Sequence, residues 1–399
     1  MQTCSPTAPA VAASAPRTGL AILLFAVGGF ALLTTEFIIL GLLPGLSRDL
    51  GLSVAAAGQL VTLFAVTVML CGPFLTAWLS SFERKKLFIA IVLVFAASNA
   101  LAAMAPNVWV LALARFVAAL ALPVYWGTAS ESAGQLAGPG REGWAVAKVY
   151  LGITAAFVFG IPLGTLAAGL VGWRGSFWLL AGLCLLVALL MWAWLPKLPA
   201  VPAREQGVRQ TVILQDRRFV AHVLLSALVF TAMFTAYTYL AEILEQVAAV
   251  PAAQVGWWLM GFGVVGMLGN SLAGRIVDRS PLGATVLLLV ILAVGMAAVT
   301  PAVSNPTLLL GALALWGVAY TALFPVCQVR VMQAGARAQA LAGTLNVSAA
   351  NGGIAVGAAL GGLVIELLGT AALGYVASGI AALAVVATLL LMAGDKRQG

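Results

Sequence analysis

Twelve apolar runs, near residues 19–44, 54–80, 86–105, 108–134, 143–171, 175–195, 219–243, 253–276, 282–302, 306–332, 338–366 and 370–393, take up nearly all of this chain. Each is long enough to cross a hydrocarbon core of about 30 Å as a helix. In lipid the backbone has to satisfy its own N–H and C=O groups, so runs of this length read as helices. Short breaks such as "MAPNVW" and "TPAVSNPT" separate several pairs. Composition agrees: 8% of residues are charged, against about a quarter in a soluble domain. The expectation is an all-α membrane protein with twelve transmembrane helices.

The distribution of Lys and Arg fixes the expected orientation. If the N-terminus is inside, seventeen basic residues fall on the inner side, from Arg17 to Arg397, and only Arg48 and Arg174 on the outer side. Positive charge collects on the cytoplasmic face of spanning proteins, so both termini are expected in the cytoplasm. The same rule accounts for the net charge of +8. The basic residues form no dense patch with interleaved aromatics, so nucleic acid is not an expected partner. The longest polar stretch, residues 196–218, divides the chain. The expected organisation is a mobile N-terminus (1–18), a six-helix half (19–195), a cytoplasmic linker (196–218), a second six-helix half (219–393) and a short C-terminus (394–399).

Cys4, Cys71, Cys184 and Cys327 are far apart, with no metal-ligand spacing, so neither a metal site nor a disulfide framework is indicated. No phosphate-binding Gly-x-x-x-x-Gly-Lys is present, and "GFGVVG" lies inside an apolar run with no preceding strand. No nucleophile–base pair appears either. The sequence therefore implies no cofactor, no metal and no enzyme. His222, beside Arg217 and Arg218, reads as an interfacial residue.

Two ionisable residues break the apolar pattern. Glu36 is the only acid in "LLFAVGGFALLTTEFIILGLLPG", and Arg115 lies as deep in "VLALARFVAALALP". A charge at such depth costs roughly 2.5–3.5 kcal/mol on insertion scales, and it commonly marks an ion or proton pathway. Glu36 stands eight residues before Pro44 and Arg115 eight after Asn107. At 1.5 Å per residue both lie about 12 Å below the same surface. They read either as a proton-coupling pair, Glu36 carrying the proton and Arg115 tuning it by charge, or as a static ion pair that fixes helix register.

The halves show weak internal similarity. At an offset of 197, Gly72 meets Gly269, Gly160 meets Gly357 and Gly164 meets Gly361. "AWLSSFERKK" lies between spans two and three and "GRIVDRSPLG" between spans eight and nine, and both resemble the Gly-x-Leu-x-Asp-Arg loop with its basic cluster that marks the major facilitator superfamily. In the first, Ala77 and Ser81 replace the glycine and the aspartate. With two parallel six-helix repeats, these motifs resemble the major facilitator superfamily. "TTEFIILGLLP" followed by "LSRDLGLSVAAAGQLVTLFAV", and Gly172-Trp173-Arg174 ending span five, resemble its bacterial drug:proton antiporters with twelve spans, a branch that also contains sugar and purine-nucleoside exporters.

That resemblance implies a proton-coupled exporter of small organic molecules, working by alternating access and acting as a monomer in the lipid bilayer. It implies that Arg84, Lys85, Gly274, Asp278 and Arg279 latch the halves on the cytoplasmic side, although a basic loop can also serve topology alone. Gly160, Pro162 and Gly164 look like the glycine-proline motif of efflux members, and equally like small residues for close helix packing. Mid-depth candidates to line a central substrate site are Phe37, Tyr125, Trp126, Phe234, Tyr237, Trp316, Tyr320, Asn346 and Asn351. Aromatics with few fixed charges suit apolar or cationic organic molecules. The asparagines suit a hydroxylated metabolite such as a sugar or nucleoside. A non-transporting membrane sensor is the alternative from a different class.

Overall fold

The computed structural model describes residues 15–79, 82–138, 142–197, 214–277, 279–336 and 339–396. Ser81, Asp278, most of the expected N-terminal segment and most of the expected linker lie outside the described residues. Every regular element among the described residues is helical. Span 1 is Ala15–Leu50, span 2 Val54–Leu79, span 3 Arg84–Ala103 and span 4 Val108–Ala137. Span 5 starts as Glu142–Ala155, passes through a π-helical turn at Ala156–Gly160 and enters the helical stretch Ile161–Trp194, which also contains span 6. Span 7 is Arg217–Tyr237, extended by Leu240–Glu242 and a second π turn at Ile243–Val247. Spans 8 to 12 are Ala252–Val277, Pro281–Ala302, Pro306–Ala334, Gln339–Leu368 and Leu373–Lys396.

Among the described residues eleven helical stretches are long and apolar enough to cross a membrane, one of them 47 residues, Lys148–Trp194. A straight helix of that length would reach about 70 Å, twice the need. It is not straight. Gly172 has φ 72° and ψ 167°, a left-handed backbone that only glycine adopts without strain. The Ser176 hydroxyl donates to the Gly164 carbonyl at 2.8 Å, although the two residues would be about 18 Å apart along one helix. The chain turns back at Gly172, and the stretch is spans 5 and 6.

The repeat is structural. The Asn107 side chain caps span 4 by accepting from Trp109 and Val110, and Asn305 caps span 10 by accepting from Thr307 and Leu308. Span 5 lays Gly152, Gly160 and Gly164 against Ala26, Thr34 and Ile38 of span 1. Span 11 lays Gly353, Gly357 and Gly361 against Ala227, Thr231 and Thr235 of span 7. In both, small residues spaced by four make one helix face flat enough for backbones to touch.

Spans 1 and 7 are the most enclosed, with 78% and 67% of their apolar windows buried, whereas span 12 has 22% and lies at the rim. Leu23, Phe74, Trp109, Leu170, Trp192 and Leu367 point outward with more than half their surface exposed, as a lipid-facing surface requires. One continuous hydrophobic core joins both halves at the Arg48 end, drawing on Leu40, Leu43, Leu46, Leu240 and Leu244. At the other end the first half keeps a core of its own, with Phe25, Phe88, Tyr125 and Met191. The seam between the halves is therefore packed at the Arg48 end.

Candidate functional site

Span 4 brings Arg115 to span 1 at the level of Glu36, as counting residues from the two helix ends implies. Both are buried, with 2% and 8% of their surface exposed. The expected direct charge pairing is not made. Arg115 donates through Nη1 to the Thr35 carbonyl and through Nη2 to the Glu36 carbonyl. Its guanidinium lies 4.4 Å from the Phe64 ring centre on span 2. The planar fork matches two successive carbonyls on the helix face, which have a second lone pair free beyond the helical hydrogen bond. Asn99 of span 3 adds a bond of 2.9 Å to the Thr35 hydroxyl, which donates to Ala31. Among the described residues Glu36 takes part in no ion pair. Its carboxylate lies within electrostatic reach of Arg115 and of the Tyr320 hydroxyl on the other half.

Beside Glu36 the halves meet through aromatic rings. Phe37 of span 1 lies 5.2 Å from Phe157 of span 5 and 5.8 Å from Phe234 of span 7. Phe234 touches Tyr237 and Tyr320, and the last two are 4.2 Å apart. Phe262 of span 8 lies 5.6 Å from Trp316 and 5.8 Å from Tyr320. Five aromatics named from the sequence thus come together: Phe37, Phe234, Tyr237, Trp316 and Tyr320. Phe157, Phe230, Phe262 and Phe324 were missed. The four-residue spacing of Phe230 with Phe234, and of Phe324 with Tyr320, was a readable signal for two of them.

Tyr125 and Trp126 are not brought into that cluster. Tyr125 donates to the Phe25 carbonyl at 2.6 Å and packs on Phe88 inside the first half, while Trp126 lies against Tyr150. One helical residue is a rotation of about 100°, and here it turns span 4's rings towards spans 1, 3 and 5. Asn346 donates to Gln328 at 2.6 Å and Asn351 to the Val347 carbonyl at 3.0 Å. The amide oxygens of both asparagines, Trp316 Nε1 and the Tyr320 hydroxyl are buried with no hydrogen-bond partner among the described residues.

The expected latch residues separate. Arg84 is buried and pairs with Glu131 of span 4 at 2.7 Å, a bond within the first half rather than between halves. Lys85 is half-buried, Gly274 lies in span 8, Arg279 is exposed just beyond it and Asp278 lies outside the described residues. Among the described residues the ion pair that joins the halves is at the opposite end, where Arg48 meets Glu245 at 2.9 Å. Next to it Asp49 accepts from Trp173 Nε1 at 2.8 Å and faces Arg174 at 3.6 Å. Gly160 and Gly164 seat span 5 on span 1, and Pro162, without an N–H to give, follows the π turn. On its other side span 5 meets Gly256 and Gly263 of span 8, so it sits between the halves.

Comparison with known proteins agrees with this architecture. Residues 25–347, and again 223–399, match the Major Facilitator Superfamily. The chain is 34% identical over 354 residues to the inner membrane transport protein YdhP of Escherichia coli (strain K12), covering 89% of this chain and 90% of that one. It is 29% identical to a probable sugar efflux transporter of Helicobacter acinonychis, over 91% and 93% of the two chains. A crystal structure of the nucleoside transporter NupG superposes with a TM-score of 0.75 at 14% identity, covering 94% of this chain and 99% of NupG. With two six-helix repeats, a buried Glu36 and Arg115 on their first half and a seam packed at one end, this multi-pass membrane protein belongs to the major facilitator superfamily of transporters.

Proposed function

We propose that this transporter is a proton-coupled exporter of small organic molecules in a bacterial-type inner membrane, with both termini cytoplasmic. The observation that carries the reading is Glu36: a buried carboxylate on the most enclosed span, at the seam of the halves, with no ion pair among the described residues to hold it in one charge state. Arg115 is spent on the backbone of span 1, which leaves the carboxylate to take up and release protons. On the orientation set by the basic residues, the packed end with Arg48 and Glu245 is periplasmic, and the arrangement is inward-facing. The aromatic cluster beside Glu36 offers a surface for apolar or cationic molecules, whose binding would compete with the proton. Asp278 and Arg279 belong to the cytoplasmic latch that forms when the protein opens outward.

A second reading, export of a sugar or another hydroxylated metabolite, is favoured by the unpartnered amide oxygens of Asn346 and Asn351 and by relatives named as probable sugar efflux transporters. A growth screen of deletion and overexpression strains across antibiotics, sugars and nucleosides separates the two. Proton coupling is tested on the substrate that emerges. Glu36→Gln is expected to abolish efflux driven by a pH gradient while leaving the protein in the membrane. Normal gradient dependence in that variant would refute the assignment.

A further inference from the structure

The donors that the second half buries without acceptors among the described residues include the Tyr320 hydroxyl and Trp316 Nε1, both in residues with no exposed surface. Buried polar groups without partners are rare in folded proteins, and a rare one calls for a partner elsewhere in the working cycle. Tyr320 stands at the seam, its ring against Phe157 of the first half and against Phe234, which touches Phe37. Phe37 follows Glu36 directly in the chain. On the facing side the Glu36 carboxylate has an electrostatic neighbour in Tyr320 and no ion pair among the described residues. Among the described residues, a donor without an acceptor stands on one half, and a carboxylate without an ion pair on the other.

We propose that Tyr320 is the partner of Glu36 on the opposite half: its phenol donates to the ionised carboxylate when the halves rock, and protonation of Glu36 releases it. This rests on the reading of Glu36 as the proton carrier. A neutral O–H suits the task because its bond to a carboxylate is much stronger than its bond to a carboxylic acid, so the contact reports charge state. A cation in that place would attract the carboxylate from a distance in every conformation. Of the titratable side chains that face this point, span 4 supplies Arg115, span 10 Tyr320 and span 7 Tyr237, which lies against Tyr320. Phe64 and Phe157, the rings that pack here from spans 2 and 5, are uncharged. Tyr320 is a positioning residue for the coupling step.

The test needs no transported substrate, because the probe is the proton. Purified protein in lipid nanodiscs is titrated by infrared difference spectroscopy, following the carboxylic acid C=O band that disappears in Glu36→Gln. All variants carry Arg48→Glu, which loosens the packed end so that both arrangements are sampled. Tyr320→Phe keeps the ring contacts and removes only the O–H. It is expected to move the band's midpoint alkaline by about one pH unit, the size of a lost hydrogen bond to a charged group. Trp316→Phe, one turn away on the same face, is expected to leave the midpoint in place. An unmoved midpoint in Tyr320→Phe, or a shift in Trp316→Phe instead, overturns the assignment of Tyr320 while Glu36 stands. A titrating band that persists in Glu36→Gln overturns the proton carrier itself.

Discussion

The Arg48–Glu245 pair offers a measurable handle on the balance between the two arrangements of the halves. Its partners are 197 residues apart and 2.9 Å from each other, with side chains 60% and 13% exposed. At that distance the gross attraction in water is about 1.4 kcal/mol. Ordering two long side chains and partly desolvating Glu245 leave a net value of about 0.2–1 kcal/mol. Neutralising one partner with Glu245→Gln should therefore raise the population open at this end about 1.4- to 5-fold. Reversing one charge with Arg48→Glu replaces attraction by repulsion of similar size, a swing of about 0.4–2 kcal/mol, or roughly two- to thirty-fold. Spin labels on Ser53→Cys and Gln254→Cys, both exposed near this end, report the change as a distance distribution from pulsed electron resonance. The effect of Glu245→Gln should shrink between 0.1 M and 1 M salt, as the Debye length falls from about 10 Å to about 3 Å. The swap Arg48→Glu with Glu245→Arg should restore the native distribution. If single reversal leaves the distances unchanged, or the swap fails to recover them, the pair does not hold the seam and packing alone closes it.

Two further outcomes follow from the packing around span 1 and span 7. Removing the charge in Arg115→Ala is expected to move the pH optimum of transport upward, and Arg115→Lys to bring it part of the way back. A profile that loses amplitude without moving would make Arg115 only a brace between spans 4 and 1. Gly357→Leu would drive a side chain into the Thr231 carbonyl and the Thr235 amide of span 7, so thermal stability in detergent should fall by about 1–3 kcal/mol. Gly379→Leu, with nothing within 4 Å, should stay within about 0.5 kcal/mol of the parent. Equal losses in both variants would show that the cost comes from the leucine and not from the contact with span 7.

The spans were legible because each apolar run meets a fixed length requirement, and the reversal at Gly172 was written as a glycine between two such runs. The repeat was legible through small residues that recur at one offset, such as Gly160 with Gly357. Charges were harder. Arg84 read as part of a cytoplasmic latch and Arg48 as one of two outer basic residues, and nothing local tells that Arg84 finds Glu131 inside its own half while Arg48 finds Glu245 across the seam. Aromatics fell between these cases. Trp316 and Tyr320 share a helix face and were found together. Phe157 and Phe262 join them from spans 5 and 8, whose rotation is set by glycine contacts that no single helix pattern reveals. Tyr125 has suitable depth and the wrong rotation.

The bonding around the seam suggests how motion and charge are divided. Span 1 is held within its own half by Arg115, by Asn99 and by the glycine face of span 5, contacts that lose energy steeply when displaced. At the level of Glu36, spans 1 and 5 meet the other half ring on ring, contacts that are short-ranged and weakly directional, so they can exchange partners as the halves rotate. A rigid half that carries the ionisable group, set against a surface that slides, is what rocking about a fixed site requires. The remaining need is a directional contact that forms only in one charge state. A hydrogen bond from the opposite half to the Glu36 carboxylate supplies it, and the unpartnered Tyr320 hydroxyl is the donor placed to make it.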